Sequence, residues 1–98
     1  MTSGARLTLL TRAYCSLCDQ MQRDATLIAQ RAGLRLDVID IDARDDLLPE
    51  WDTRVPVLFL GSPAPEHELC HYTLDPARVH EAIARRLGEP VASMGQIG

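Results

Sequence analysis

The pair Cys15-Ser16-Leu17-Cys18 sits where a period-two segment gives way to a helical one, and that placement limits the folds open to this chain. Ahead of it, Leu7-Thr8-Leu9-Leu10-Thr11 reads as a short strand. Behind it, Ser16 to Ala32 reads as an amphipathic helix. Leu17, Met21, Ala25, Ile28 and Ala32 fall within an arc of roughly 80° at about 100° per residue. Polar Asp19, Gln20, Gln22, Arg23, Gln30 and Arg31 take most of the remaining circumference. Ser16, with Asp19 three residues later, reads as a capping box, and Gly33 suits the left-handed position that ends such a helix. Two residues between the cysteines, with the second already helical, bring both sulfurs within bonding reach. The first sulfur faces the positive end of the helix, which favours its thiolate. That is the arrangement dithiol–disulfide chemistry needs. Cys18 lies at the edge of the apolar stripe and is expected to be the less exposed of the two.

The rest of the chain alternates in the same way. Arg35–Ile41 reads as a second strand, joined to the first through the helix and therefore parallel to it. Asp42 is expected to cap a short helix reaching about Trp51, with Pro49 interrupting or ending it. Val57-Leu58-Phe59-Leu60 is a buried strand with Pro56 at its first position, where a missing N–H is tolerated. Gly61-Ser62-Pro63-Ala64-Pro65 makes a tight connection, so Glu68–Tyr72 should return antiparallel. Asp75-Pro76 opens a last helix, buried along Val79, Ile83 and Leu87 and closed by Gly88.

A chain of 98 residues, 46% of them hydrophobic, suffices for one compact domain and is too short for two. The reading is a single domain over 1–98, with an ordered core over about 6–88 and a flexible tail over 89–98. A net charge of −4 argues against nucleic acid or an anionic membrane as partner, and a monomer is expected. The ten basic residues are all arginine, which excludes lysine chemistry such as Schiff-base formation. Met1–Ala5 does not read as a signal peptide, and no apolar run approaches the roughly 20 residues of a membrane helix. Three cysteines do not make a secreted disulfide framework, so a cytoplasmic location is expected.

The element order β-α-β-α-β-β-α, with C-x-x-C at the first strand–helix turn and Val55-Pro56 before the third strand, resembles the thioredoxin fold, on its glutaredoxin-like side. The resemblance runs from about Leu7 to Leu87. It implies an α/β domain with a mixed four-stranded sheet and helices on both faces. Arg12-Ala13-Tyr14-Cys15-Ser16-Leu17-Cys18 looks like the glutaredoxin pattern of a basic residue shortly before the first cysteine, and Val55-Pro56 matches the family's cis peptide bond beside the disulfide. The resemblance implies Cys15 as nucleophile and Cys18 as the resolving thiol of a thiol–disulfide oxidoreductase. Arg12, Tyr14, Arg54, Val55, Pro56 and Thr73 are then the substrate-binding candidates, with the backbone of Val55 pairing with the incoming thiol. Arg12 and Arg54 would lower the Cys15 pKa, and Tyr14 would shield the disulfide. No resident cofactor is implied. The substrates would be protein disulfides or mixed disulfides, with electrons from glutathione or a disulfide reductase. The chain departs from the pattern in Ser16-Leu17 between the cysteines, Arg54 before Val-Pro, and Tyr72-Thr73-Leu74 where glutaredoxins carry Gly-Gly. The last change predicts poor use of glutathione relative to a dithiol reductant.

Other readings of the same residues stand beside this one. The cysteines could be inert, or half of a zinc site, although the sequence offers no second C-x-x-C or suitable histidine pair. The chain could be a binding module with an idle dithiol, or a metal or iron–sulfur carrier through Cys15. Cys70 is expected across from about Pro56, as a small hydrophobe or a third redox thiol. Trp51 should close the core over the short helix, while His67 and His80 read as surface residues.

Overall fold

The computed structural model describes the backbone of residues 6–95 and the side chains of residues 6–86. The expectations placed on residues 1–5, on the Leu87 side chain and on flexibility of the tail fall outside that description. The elements are β1 (Arg6–Thr11), α1 (Ser16–Ala32), β2 (Arg35–Asp40), α2 (Leu48–Trp51), β3 (Val57–Leu60), β4 (Glu68–His71) and α3 (Pro76–Gly95), with 3-10 turns at Ile41–Ala43 and Pro65–His67. The sheet order is β2-β1-β3-β4, with β2 parallel to β1 and the two later pairings antiparallel. This is the mixed four-stranded α/β arrangement the sequence implies. No helix among the described residues is long and apolar enough to cross a membrane.

The alternation along the central strands divides the core into two layers. Leu7, Leu9 and Leu58 point to one face and pack with Met21, Ala25, Ile28 and Ala29 of α1 and Val79 and Ile83 of α3. Leu10, Val57 and Phe59 point to the other, where Ile41 and Trp51 cover them. Each large apolar side chain buried this way contributes about 1.5–3 kcal/mol. Trp51 meets Phe59 edge to face with ring centroids 5.0 Å apart, closing the core over α2 as expected. Thr8, the one polar residue among the buried set described, donates its hydroxyl to the Gly61 carbonyl at 2.6 Å. An unpaired buried hydroxyl is thereby avoided.

Several local expectations are corrected. The N-cap of α1 is Cys15, in extended conformation, and Ser16 is already the first helical residue. The physical reason is reach: an N-cap side chain bonds the N–H three residues on, which is the spacing of C-x-x-C. Leu17 is 45% exposed, so the stripe of α1 begins at Cys18 instead. Gly33 ends the helix at φ 71°, as the sequence predicts, with its N–H returned to Ala29 and Gln30. β2 ends at Asp40, whose carboxylate accepts the N–H of Asp42 at 3.0 Å and opens a 3-10 turn. Asp42 therefore caps nothing. Pro49 lies in the first turn of α2, just after Leu48, rather than ending it, because the first turn of a helix has no use for its missing N–H. Pro56 lies one residue ahead of β3, and β4 stops at His71 because Tyr72 turns left-handed at φ 68°. A bulge between β3 and β4 moves Cys70 opposite Leu58, away from Pro56. Finally, α3 continues past Gly88, since a helical glycine costs only about 1 kcal/mol relative to alanine.

Candidate functional site

Strand direction gathers three loops at one end of the sheet. β1 runs toward this end and leads into residues 12–15, and β3 starts from it after residues 52–56, because Leu10 lies opposite Val57. β4 runs back to it and leads into residues 72–75, because His71 also lies opposite Val57. The cysteine pair, the Val-Pro segment and the turn before α3 are therefore neighbours, although up to 60 residues separate them.

Cys15 and Cys18 are joined as a disulfide, with Cα atoms 5.2 Å apart. Cys18 is 1% exposed, whereas Cys15 is only half-buried, which matches the order expected of the pair. The Cys18 N–H donates to the Cys15 sulfur at 3.1 Å, and the Asp19 N–H donates to the Cys15 carbonyl at 3.1 Å. The outer sulfur thus receives the charge complement of a helix N-terminus. Tyr14, fully exposed at φ 57°, makes the left-handed turn that takes the chain from β1 into α1.

Arg12 does not face the disulfide as a free cation. Its Nε and Nη2 donate to both oxygens of Asp42 at 3.0 and 2.9 Å, Nη2 also pairs with the Asp52 carboxylate, and Nη1 donates to the Asp52 carbonyl at 3.3 Å. Hydrogen bonding to Asp42 and then Asp52 pushes the guanidinium further above its already high range, and Arg12 holds the Asp42 carboxyl below the usual carboxylate range. Two carboxylates against one guanidinium leave this cluster net negative. What Arg12 supplies is mechanical: it ties the loop before Cys15 to the turn after β2 and to the segment before β3. The sequence marks Asp42 only as a helix cap and does not mark Asp52 at all. Nothing local marks a pairing across 30 and 40 residues.

The remaining candidates line the 52–56 and 72–75 loops. The Val55–Pro56 bond is cis, as the resemblance implies. Val55 is half-buried against the Trp51 layer, and among the described residues neither its N–H nor its C=O takes a backbone partner. Arg54 is exposed, with its guanidinium carbon 5.4 Å from the Trp51 ring centroid. The Thr73 N–H donates to the His71 carbonyl at 2.8 Å. Tyr72 donates its N–H to the Pro56 carbonyl at 2.8 Å and its hydroxyl to the Thr53 carbonyl at 2.6 Å. Cys70 lies opposite Leu58, packed against the α1–α3 layer, and burial pushes its thiol pKa up. The described residues contain no cluster of three or more His, Cys, Asp or Glu placed to hold a metal ion.

The sequence model of a family described as Glutaredoxin-like domain (DUF836) matches residues 6–84. Among solved structures, a protein of Nitrosomonas europaea determined by solution NMR is 32% identical, with 82% of this chain and 92% of that one covered at a TM-score of 0.68. A protein of X. campestris determined by X-ray diffraction is 33% identical, covering 79% and 93% of the two chains at a TM-score of 0.55. Thioredoxin 1 of Thermosipho africanus shares the fold at 19% identity, covering 87% and 97% at a TM-score of 0.62. No curated protein is similar at a significant level.

Proposed function

This chain belongs to the glutaredoxin-like domain family, and from that membership we propose that it is a thiol–disulfide oxidoreductase working through Cys15 and Cys18. The observation that carries the reading is the disulfide itself: a half-buried outer sulfur capping α1, bonded to an inner sulfur enclosed by the core. In the reduced protein, the Cys15 thiolate attacks one sulfur of a substrate disulfide. A protein–substrate S–S bond forms, and the other substrate sulfur leaves as a thiolate that takes a proton from water. Cys18 then gives up its proton and attacks the Cys15 sulfur, releasing the second substrate thiol. Two electrons have passed from the protein dithiol to the substrate disulfide, and the protein is left with the Cys15–Cys18 bond. A thiol or dithiol reductant of the surroundings resets it.

The Val55 backbone, unpartnered and next to Pro56, is the edge on which an extended thiol-bearing chain would lie. Its two free polar groups are the donor and acceptor that such a chain needs. The partners in this reading are disulfides of proteins or mixed disulfides, met by a monomer in a reducing compartment such as the cytoplasm. The test is turnover of a disulfide substrate by the reduced protein, with thiols counted before and after. Loss of both Cys15 and Cys18 thiols for each substrate disulfide reduced is the expected stoichiometry. A pair that stays reduced in excess substrate would leave only a binding module.

A further inference from the structure

Tyr72 is not needed for the exchange chemistry, yet it is held firmly in an unfavourable backbone region. A residue with a β-carbon rarely adopts φ 68°, and glycine would take this turn without strain. Its N–H reaches the Pro56 carbonyl at 2.8 Å and its phenol reaches the Thr53 carbonyl at 2.6 Å. Tied at both ends to the segment 53–56, the ring lies along the edge that flanks Val55. It remains 45% exposed, and Tyr14 and Leu17, at 107% and 45%, are the other exposed large apolar residues at this end.

Most polar groups flanking the Val55 edge are already occupied. The N–H groups of Tyr72 and Thr73 go to Pro56 and His71. The start of α3 carries a carboxylate of its own, since Asp75 accepts the Arg78 N–H at 3.2 Å. Arg12 is held by two carboxylates. Arg54, and Arg78 at the start of α3, are the guanidinium groups near this end without a carboxylate partner among the described residues. A small thiol peptide bearing carboxylates would find one cation beside Val55 and a second only at the start of α3, no free backbone donor on the 72–73 turn, and a phenol in its path.

Resting on the oxidoreductase reading, we propose that Tyr72 determines which disulfides reach Cys15. It closes the groove beside Val55 to small anionic thiol peptides and offers an apolar wall to polypeptide disulfides flanked by apolar side chains.

The experiment compares how fast the reduced protein is oxidised by two symmetric disulfides: glutathione disulfide, and a neutral peptide disulfide with leucine on either side of cysteine. Either oxidant gains the two electrons of the Cys15–Cys18 dithiol and is released as two thiols. The wild-type protein should favour the leucine peptide. Tyr72→Gly should raise the glutathione-to-peptide rate ratio about tenfold or more, and Tyr72→Phe, which keeps the ring but loses the bond to Thr53, should fall between. Should Tyr72→Gly fail to fold, Tyr72→Asn, also tolerant of a left-handed turn, carries the same comparison. A ratio within about twofold of wild type in an active, folded variant overturns the role of Tyr72 and leaves the oxidoreductase reading standing. A wild-type protein oxidised by neither compound overturns both.

Discussion

Cys18 donates its backbone N–H to the sulfur of Cys15 across 3.1 Å, so the two residues joined by the disulfide are also joined as helix cap and capped turn. The same N–H should face the same sulfur once the bond is cut. A thiolate there accepts a charge-assisted hydrogen bond and sits at the positive end of α1. The Cys15 pKa is therefore expected below the value of about 8.5 for a free thiol. Alkylation rate of the reduced protein against pH measures it, and an unshifted value would remove the helix terminus as the activating group.

The two cysteines should fail differently when replaced. Cys15→Ser should abolish disulfide reduction. Cys18→Ser preserves attack but removes resolution, so a stable mixed disulfide with substrate accumulates and is visible by mass spectrometry. Equal trapping by both variants would reverse the assigned roles.

Arg12→Ala should loosen the loop before Cys15 and leave Asp42 and Asp52 facing each other unpaired. Its destabilisation has a defined pH range. The Asp42 pKa is lower in the folded protein than in the unfolded chain, so its pairing stabilises the fold above the ordinary carboxylate range and is lost as pH falls through the lowered value. Melting curves of wild type and variant should differ near neutrality and converge in acid. A gap that stays constant down to acid pH would show that the carboxylate pairing carries none of it.

Trp51→Ala tests the layer beneath the site. Trp51 is 1% exposed and packs edge to face on Phe59, so truncation should cost about 3–5 kcal/mol in urea unfolding. It also removes the ring under Arg54. A loss below about 1 kcal/mol would mean the layer collapses to fill the space.

Cys70 should be the slow thiol. Burial raises its pKa, so at neutral pH it alkylates more slowly than Cys15 in the reduced protein. Cys70→Ala should leave disulfide reduction at the wild-type rate. A large loss of turnover would make it a third redox thiol after all.

Local patterns in the sequence were enough for much of this. The alternation Leu7, Leu9 against Leu10 set the two faces of β1, the spacing of Met21, Ala25 and Ile28 set the buried face of α1, and Gly33 set its end. The C-x-x-C at the strand–helix turn located the cysteine pair, because periodicity and spacing are properties of neighbouring residues. Other features depend on residues brought together only by the sheet. The partners of Arg12 lie on two other loops, the bulge that shifts Cys70 depends on how β4 meets β3, and Tyr72 reaches Thr53 only because β4 delivers it beside the cis Val55–Pro56 segment. Side-chain pairing over 19 to 40 residues leaves no periodic trace in the chain, so the charge and shape around Cys15 became defined only when the strands were in register.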